Sequence, residues 1–217
     1  MDKKIVPNCF RPLNENEARI LLMRHGAHAA NILKPEAVAQ AIATGEALQT
    51  SGVDIAIAYS SPSPRALETN LHTQHGYGKM VYIHTDSRIA DMSGDPEAVK
   101  VLGEIKKRVE ARGLVWGDPG IAQVAYDSNE VFLPLMRGRA MNGDLAIRRT
   151  ISDNNGGKTA LVTSHGVAMI EAALMSLRRE EIHIPERLAE TCQIIELILA
   201  KGELIEENWL EPVHATT

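Results

Sequence analysis

Short apolar runs alternate along the chain with longer stretches in which apolar residues recur at helical spacing. The runs that have the character of buried strands are Arg19–Met23, Asp54–Tyr59, Lys79–His84, Lys158–Thr163 and Cys192–Leu199. The helical stretches that lie between or after them are Pro35–Thr50, Pro64–His72 and Val167–Leu177. This alternation predicts an α/β fold, a three-layer sandwich in which helices cover both faces of a mostly parallel central sheet.

The last two apolar runs are predicted to form a hairpin. Cys192–Leu199 and Glu203–Glu207 are separated only by Ala200-Lys201-Gly202, which has the composition of a turn. Two strands joined by so short a connection run antiparallel, because a parallel pair needs a long crossover. We therefore expect an antiparallel edge strand on the otherwise parallel sheet.

The region from 86 to 150 has few strand signals. Helices are expected at Glu97–Arg112 and at about Asn129–Ile151, and Gly113–Gly120 between them has the composition of a loop. A mainly helical stretch placed between two strand–helix regions is typical of an insertion that covers the sheet. We therefore predict one domain over residues 1–217, with a helical insertion or cap around 86–150.

Composition and charge restrict the environment and the partners. The formal charge of −5 disfavours nonspecific binding to nucleic acid or to an anionic membrane. No apolar run approaches the ~20 residues of a membrane span, and the first residues lack the apolar core of a signal peptide. The only cysteines, Cys9 and Cys192, have no spacing typical of a disulfide framework or a metal site. These features predict a cytoplasmic protein that binds neither nucleic acid nor membranes.

Basic residues follow three of the predicted strands at their carboxyl ends. The segments concerned are Arg24-His25-Gly26, Pro64-Arg65-Ala66 and Ser164-His165-Gly166. In an open parallel sheet, ligands bind at the carboxyl ends of the strands. If these strands are neighbours, the two guanidiniums and two imidazoles converge into a pocket for a tetrahedral dianion, and arginine suits phosphate because its planar fork donates in pairs.

An imidazole in such a pocket can act as a nucleophile on phosphorus, which divides one hard displacement into two easier steps. The attacking nitrogen must be unprotonated, and the other nitrogen needs an acceptor such as a backbone carbonyl to fix the tautomer. Gly26, directly after His25, allows the chain to turn closely around a ligand. His25 is therefore the candidate nucleophile, with His165 and the arginines stabilising the transferred group.

These motifs together resemble the histidine phosphatase superfamily, which includes the cofactor-dependent phosphoglycerate mutases and many small phosphatases. The matching segments are Arg24-His25-Gly26, Ser61–Thr69 and Ser164-His165-Gly166, with Asn31 where the family usually has an asparagine that touches the phosphoryl group. Weaker similarities are Glu130 with Arg137, and the ending Glu206–His214. The resemblance implies that His25 accepts the phosphoryl group and that His165 is both catalytic and phosphate-binding. It also implies that Arg24, Arg65 and Asn31 bind phosphate.

The family also uses a carboxylic acid that protonates the leaving oxygen and then activates water. In relatives it is a glutamate in a pattern similar to Arg-Leu-x-Glu, and here Arg88–Asp91 occupies that place, so Asp91 is the first candidate. Aspartate is one methylene shorter, and Gly94 follows one residue sooner than the family glycine. Asp95 and Glu97 are therefore alternative candidates for the acid.

The resemblance implies a phosphoric monoester hydrolase that forms a phosphohistidine and acts on a small phosphorylated substrate or a phosphoprotein. Ala27-His28 replaces the acidic residue and threonine of many relatives. The further basic residues that the mutases carry for the substrate carboxylate and the second phosphate have no clear match here, although Lys106–Arg108 forms a basic run in the insertion. Hydrolysis is thus favoured over the alternatives, a phosphoglycerate mutase-type phosphotransferase and a catalytically weak phospho-ligand binding protein. The histidine pairs His25/His28 and His72/His75 lack a carboxylate or cysteine at ligand spacing, so neither a metal nor another cofactor is expected.

Overall fold

The computed structural model describes residues 9–91, 96–114, 124, 129–154, 156–166, 169–183 and 188–214. The strands are β1 (Glu17–Arg24), β2 (His28–Ala29), β3 (Ile32–Leu33), β4 (Ile55–Ser60), β5 (Ile83–Thr85), β6 (Thr159–Ser164), β7 (Ile194–Ala200) and β8 (Glu203–Trp209). The α-helices are α1 (Pro35–Thr50), α2 (Pro64–Tyr77), α3 (Pro96–Ala111), α4 (Asn129–Leu145) and α5 (Ile170–Leu177). A short 3-10 turn lies at Ser87–Ile89, and a π-helical stretch, Ala146–Ser152, continues α4.

The central sheet has the order β5-β4-β6-β1-β7-β8. Pairing is parallel from β5 through β1, whereas β7 and β8 are antiparallel to their neighbours. The predicted α/β sandwich and the predicted antiparallel edge are therefore both confirmed. The order also makes β4, β6 and β1 direct neighbours, which are the three strands that end in basic residues.

The two faces of the sheet are covered by different apolar clusters. Along β1, Ile20 and Leu22 pack on one face with residues of α5 and the π-helical stretch. Leu21 and Met23 point to the other face and pack with residues of α1 and α2, such as Leu48 and Tyr77. Because both faces are buried, β1 is almost continuously apolar, as expected for a central strand of a sandwich.

Helices α1 and α2 lie unusually close together. A Cβ added at Gly45 would lie 2.0 Å from Thr73 O, and one added at Gly76 would lie 2.0 Å from Ile42 O. Only glycine permits the two backbones to approach this closely. The contact fixes α2 against α1, and both helices cover the same face of the sheet. The first turn of α2 carries Arg65.

The structure differs from the predicted boundaries at two elements. Helix α2 continues beyond His72 to Tyr77 and ends at Gly78, which has φ +75°. Its last turns bury polar side chains, so the apolar spacing stops before the helix does. The run Lys79–His84 forms a shorter strand than predicted, because the amide of Val81 bonds to the side chain of Gln74 instead of a neighbouring strand.

Other predicted elements agree in type, with small shifts at their ends. The insertion contains α3 and α4 near their predicted positions, and of the predicted loop at 113–120 only 113–114 lies within the described residues. Residues 167–168 of the predicted helix Val167–Leu177 are also outside them, and α5 begins at Ile170. The division into one domain with a cap over 86–150 stays a prediction. Within the described ranges, no helix combines the length and apolarity needed to cross a membrane.

Candidate active site

The strand order brings the three basic segments together at one edge of the sheet. Arg24 pairs in register with Ser164 across β1 and β6, and the amide of His25 donates to Ser164 O at 2.9 Å. On the other side of β6, the amide of Ser61 donates to Thr163 O at 3.0 Å. The side chains of Arg24, His25, Arg65 and His165 therefore share the carboxyl edge of adjacent strands, as a ligand site of such a sheet requires.

His25 is buried, with 7% of its surface exposed, and its tautomer is fixed. Nδ1 lies 2.7 Å from Gly26 O, and since a carbonyl oxygen only accepts, Nδ1 carries the proton. Burial is the main cause that lowers the pKa of His25 to about 4, and the charges of Arg65 and Arg24 lower it further. The imidazole is thus neutral at pH 7, and its Nε2 is the unprotonated nitrogen.

Arg65 is the centre of the polar contacts in the site. Its Nε donates to His25 Nε2 at 3.2 Å, and its Nη2 lies 3.3 Å from His165 Nδ1. Nη1 donates to the side-chain oxygen of Asn31, and Nη2 forms an ion pair with Asp91. One guanidinium therefore contacts four of the other five residues predicted for the site, all except Arg24.

His165 faces His25 edge-on, with ring centroids 4.9 Å apart. Its Nε2 lies 2.8 Å from the hydroxyl oxygen of Ser61, which also accepts from the amide of Ser63 at 3.2 Å. Burial first, and then the neighbouring His25 and Arg65, lower the pKa of His165 to about 3. The serine hydroxyl can accept from or donate to the imidazole, so it supports either neutral tautomer.

Arg24 is held from the back of the site. Its Nη1 donates to Ala189 O at 2.6 Å, in the loop that leads into β7. Its Nε is buried and has no hydrogen-bond partner within the described part of the chain. Gly166 lies against this side chain, since an added Cβ would be 2.8 Å from Arg24 Nε. Any side chain at position 166 would collide with the guanidinium of Arg24, so the absence of a side chain at Gly166 leaves room for it.

A small hairpin that the sequence analysis did not predict places Asn31 in the site. Strands β2 and β3 pair across Ala30 and Asn31, which have φ +47° and +67°, as in a two-residue type I′ turn. The amide of Leu33 donates to Glu68 of α2 at 3.2 Å, which anchors the hairpin. His28, on the same hairpin, has its ring centroid 5.1 Å from that of His25. Asparagine at a left-handed position was the one available sequence signal for this turn.

Two further side chains in the site were missed as functional candidates. Thr69 accepts from the amide of Gly26 at 3.0 Å and donates to Arg65 O at 2.6 Å, so it joins α2 to the segment that carries His25. Ser61 contacts His165, as described above. Both lie within the motif Ser61–Thr69, and the spacing of four residues between Arg65 and Thr69 was a usable signal of a shared helix face.

Asp91 is positioned by the segment that follows the 3-10 turn. The hydroxyl of Ser164 donates to Ile89 O at 2.9 Å, which ties this segment to the end of β6. The carboxylate of Asp91 then reaches Arg65. The alternative acids Asp95 and Glu97 cannot be compared with it, because Asp95 and the side chain of Glu97 lie outside the described residues.

The remaining sequence candidates lie away from these side chains or outside the description. Lys106 to Arg108 form an exposed face of α3, and His72 and His75 lie on α2, with His75 exposed. Glu206 pairs with Arg11 at the other end of the sheet, and the side chain of Glu130 is outside the described residues. Among the described side chains, no group of three or more histidine, cysteine, aspartate or glutamate residues is arranged to hold a metal ion.

Comparisons with known proteins agree with this geometry. No curated protein sequence matches the chain. YhfR of Bacillus stearothermophilus has a similar structure, with a TM-score of 0.64 and 19% identity over 87% of this chain and 94% of that one. Phosphoserine phosphatase of Entamoeba histolytica in complex with 3-phosphoglyceric acid gives 0.59 and 18%, over 92% and 100%. A phosphoglycerate mutase of Bacillus anthracis gives 0.57 and 16%, over 92% and 93%.

The similarities to solved structures establish the fold, and the family assignment comes from the sequence. The family model of the histidine phosphatase superfamily, branch 1, matches residues 20–210, which include all three basic segments and both edges of the sheet. The chain therefore belongs to the histidine phosphatase superfamily.

Proposed function

We propose that this protein hydrolyses a phosphomonoester in two steps, through a phosphohistidine on His25 and without a metal ion. The observation that carries the proposal is the state of His25. Gly26 O fixes the proton on Nδ1, and the low pKa keeps Nε2 unprotonated at neutral pH. A neutral imidazole held in this way presents Nε2 as the nucleophile, next to the guanidinium of Arg65.

In the first step, the lone pair of His25 Nε2 attacks phosphorus, and the bond between phosphorus and the leaving oxygen breaks. Arg24 and Arg65 bind the non-bridging oxygens, which carry the negative charge in the transition state. In the free site His165 Nδ1 faces a donor, Nη2 of Arg65. Once the phosphoryl group takes that guanidinium, the hydroxyl of Ser61 can donate to Nε2, and Nδ1 then carries a proton that it donates to a phosphoryl oxygen. Arg24, His25 and His165 lie at the ends of two paired strands, and Arg65 lies in the first turn of α2. Regular elements of this kind hold a reacting group in a defined position.

The leaving oxygen needs a proton, and we infer that Asp91 supplies it. In the free site the carboxylate pairs with Arg65. A phosphate dianion competes for the same guanidinium, so binding leaves Asp91 beside another negative charge, and protonation of the carboxyl group relieves that repulsion. Substrate binding thus favours the protonated form of Asp91, which then donates this proton to the leaving oxygen.

In the second step, the ionised Asp91 takes a proton from water, and the water oxygen attacks phosphorus. The bond between phosphorus and His25 Nε2 breaks, the electron pair returns to the nitrogen, and inorganic phosphate leaves. The same group acts first as acid and then as base, as general acid–base catalysis allows for a reversible proton carrier. No oxidant, reductant or second substrate is required.

A small phosphorylated molecule is the partner that we propose, with a phosphoprotein as the alternative. The similar phosphoserine phosphatase of E. histolytica binds 3-phosphoglyceric acid, in which a carboxylate accompanies the phosphate. Lys34 and His28 lie beside the site. Burial, and then the charges of Arg65, Arg24 and Lys34, lower the pKa of His28, so Lys34 supplies the positive charge at this rim. A positive charge next to the phosphate pocket favours a substrate with a second negative group.

The test is to trap the phosphoryl group during turnover. A panel of aryl and alkyl phosphates identifies a substrate, and the reaction is then stopped under alkaline conditions that preserve the nitrogen–phosphorus bond. We expect phosphate on His25, located by peptide mass spectrometry, and loss of both label and activity in His25→Ala. His75→Ala, at an exposed histidine of α2, is the matched control and should behave as the wild type. A fully active His25→Ala protein would refute the proposal.

The products of the same reaction distinguish the alternatives. Inorganic phosphate in an amount equal to the substrate consumed supports hydrolysis. An isomerised phosphate ester with little free phosphate, dependent on a bisphosphate primer, would instead indicate a mutase-type phosphotransferase. Phosphate binding without turnover of any ester in the panel would indicate a binding protein.

A further inference from the structure

A buried carboxylate lies behind the phosphate-binding residues and takes no part in the steps above. Glu171 is in the first turn of α5, and only 2% of its surface is exposed. The amino-terminal end of a helix favours a negative charge, so this position stabilises the ionised form. A buried charge is nevertheless costly unless an opposite charge or hydrogen bonds compensate it.

Glu171 and Arg24 are linked through one residue. Glu171 Oε1 accepts from the amide of Ala189 at 2.7 Å, and Arg24 Nη1 donates to the carbonyl of the same residue at 2.6 Å. Burial lowers the pKa of Arg24, and Glu171 is the carboxylate whose charge opposes this effect most, ahead of Glu190. Glu171 is therefore the main counter-charge of Arg24.

Contacts with Gly166 and Ala189 hold the guanidinium group of Arg24 in position. Gly166 encloses the guanidinium, because an added Cβ would be 2.8 Å from Nε and 3.0 Å from Cζ. Ala189 holds Nη1 from behind, and the buried Nε has no hydrogen-bond partner within the described residues. These contacts hold the guanidinium of a half-buried side chain on the same side of the sheet edge as Ala189, to which Glu171 is also bonded.

The two arginines of the site thus have counter-charges of different kinds. Asp91 reaches Arg65 from the ligand side, where a phosphate group takes its place. Glu171 lies on α5 and contacts Ala189 behind Arg24, where no ligand displaces it. Its charge therefore acts on every anion that binds to Arg24, whether substrate or inorganic phosphate.

We propose that Glu171 is a positioning residue that offsets the charge of Arg24 and so weakens the binding of phosphate enough for the product to leave. This inference rests on the proposed function, because it assigns Glu171 to the release of the product of that reaction. It predicts that neutralising Glu171 tightens the phosphate site, whereas a carboxylate with only a structural role would leave a looser site when it is replaced.

The test compares Glu171→Gln with Glu190→Gln by calorimetric titration with inorganic phosphate. Glutamine keeps the acceptor for the amide of Ala189 and removes the charge. We expect the Kd for phosphate to fall about fivefold to tenfold, because a nearby buried charge is weakly screened. kcat and KM should fall together, since product release becomes slower. Glu190 is exposed although its charge also reaches Arg24, so its variant should bind phosphate as the wild type does.

Unchanged or weaker phosphate binding by a folded Glu171→Gln protein would overturn the inference and leave the proposed function intact. If this variant does not fold, Arg24→Gln combined with Glu171→Gln should restore folding, because neither buried charge is then left uncompensated. A double variant as unstable as the single one would also overturn it. A wild-type protein that binds no phosphate would overturn the proposed function, and the inference with it.

Discussion

Asp91→Asn tests the acid and the exchange at Arg65 in one variant. Asparagine has nearly the size of aspartate and still offers an oxygen to Arg65, but it carries neither a negative charge nor a transferable proton. The variant therefore removes the anion that competes with phosphate for the guanidinium. It also removes the proton donor for the leaving oxygen. Loss of the anion should tighten the binding of phosphate, whereas loss of the proton donor should slow turnover.

The structure sets the size of each effect. The side chains of Arg65 and Asp91 are 11% and 16% exposed, so their ion pair is only partly screened by water. A hydrogen bond to a charged group contributes about 1.5–3 kcal/mol, against about 1 kcal/mol for a neutral acceptor. Phosphate should thus bind about 1 kcal/mol more tightly to Asp91→Asn, which is about fivefold in Kd. Turnover of alkyl phosphates should fall by about 10²–10⁴-fold, the usual contribution of a general acid.

The assay combines calorimetric phosphate binding with the kcat values of p-nitrophenyl phosphate and an alkyl phosphate. The aryl ester should slow much less, because its leaving oxygen departs without a proton. Asp54→Asn, at an exposed carboxylate that pairs with Lys79, is the control and should change neither quantity. Equal slowing of the two esters would refute Asp91 as the acid, and weaker phosphate binding would refute the exchange at Arg65.

Two further predictions concern the imidazoles. Ser61→Ala removes the hydroxyl that contacts the imidazole of His165, and should reduce kcat/KM about tenfold, which corresponds to about 1.4 kcal/mol. Ser60→Ala removes the neighbouring buried hydroxyl, which donates to a backbone carbonyl, and should have a much smaller effect. Equal losses in the two variants would contradict the prediction. The pKa of His25 is about 4 in the folded protein and 6.5 unperturbed, so the unfolded chain binds more protons between these values. The stability contributed by the neutral imidazole should therefore be complete above pH 6.5 and be lost as the pH falls towards 4. His25→Gln should show a smaller fall in Tm than the wild type between these pH values. Identical dependence of Tm on pH in the two proteins would contradict the neutral state assigned to His25.

Where local pattern and tertiary burial agree, the sequence predicted the structure closely. Helix α1 begins at Pro35 and ends at Thr50, as predicted, because proline at the first position and Ser51-Gly52 after the last mark both ends locally. The basic residues after β1, β4 and β6 could be placed together because parallel strands end at one edge of a sheet. That inference needed only the direction of the strands and their adjacency, which the order β4-β6-β1 provides.

Features that depend on contacts distant in sequence were missed. The last turns of α2 bury the polar residues Thr73 and Gln74, which form hydrogen bonds to the helix and to Val81. The apolar spacing that predicts a helix is therefore absent from these turns. The hairpin that carries Asn31 has strands too short to show any alternation. Glu171 gave no signal either, because a glutamate in a helix is ordinarily exposed and only the fold brings Arg24 and Ala189 behind it.

The proposed acid is attached to the fold differently from the proposed nucleophile. His25 and His165 follow strands of eight and six residues in the middle of the sheet, whereas Asp91 follows the edge strand β5, which has three. In the proposed mechanism, phosphoryl capture therefore depends on central strands of the sheet, whereas proton delivery depends on a segment that follows an edge strand. We expect sequence changes around β5 to alter which leaving groups are accepted without disturbing the segment that carries His25.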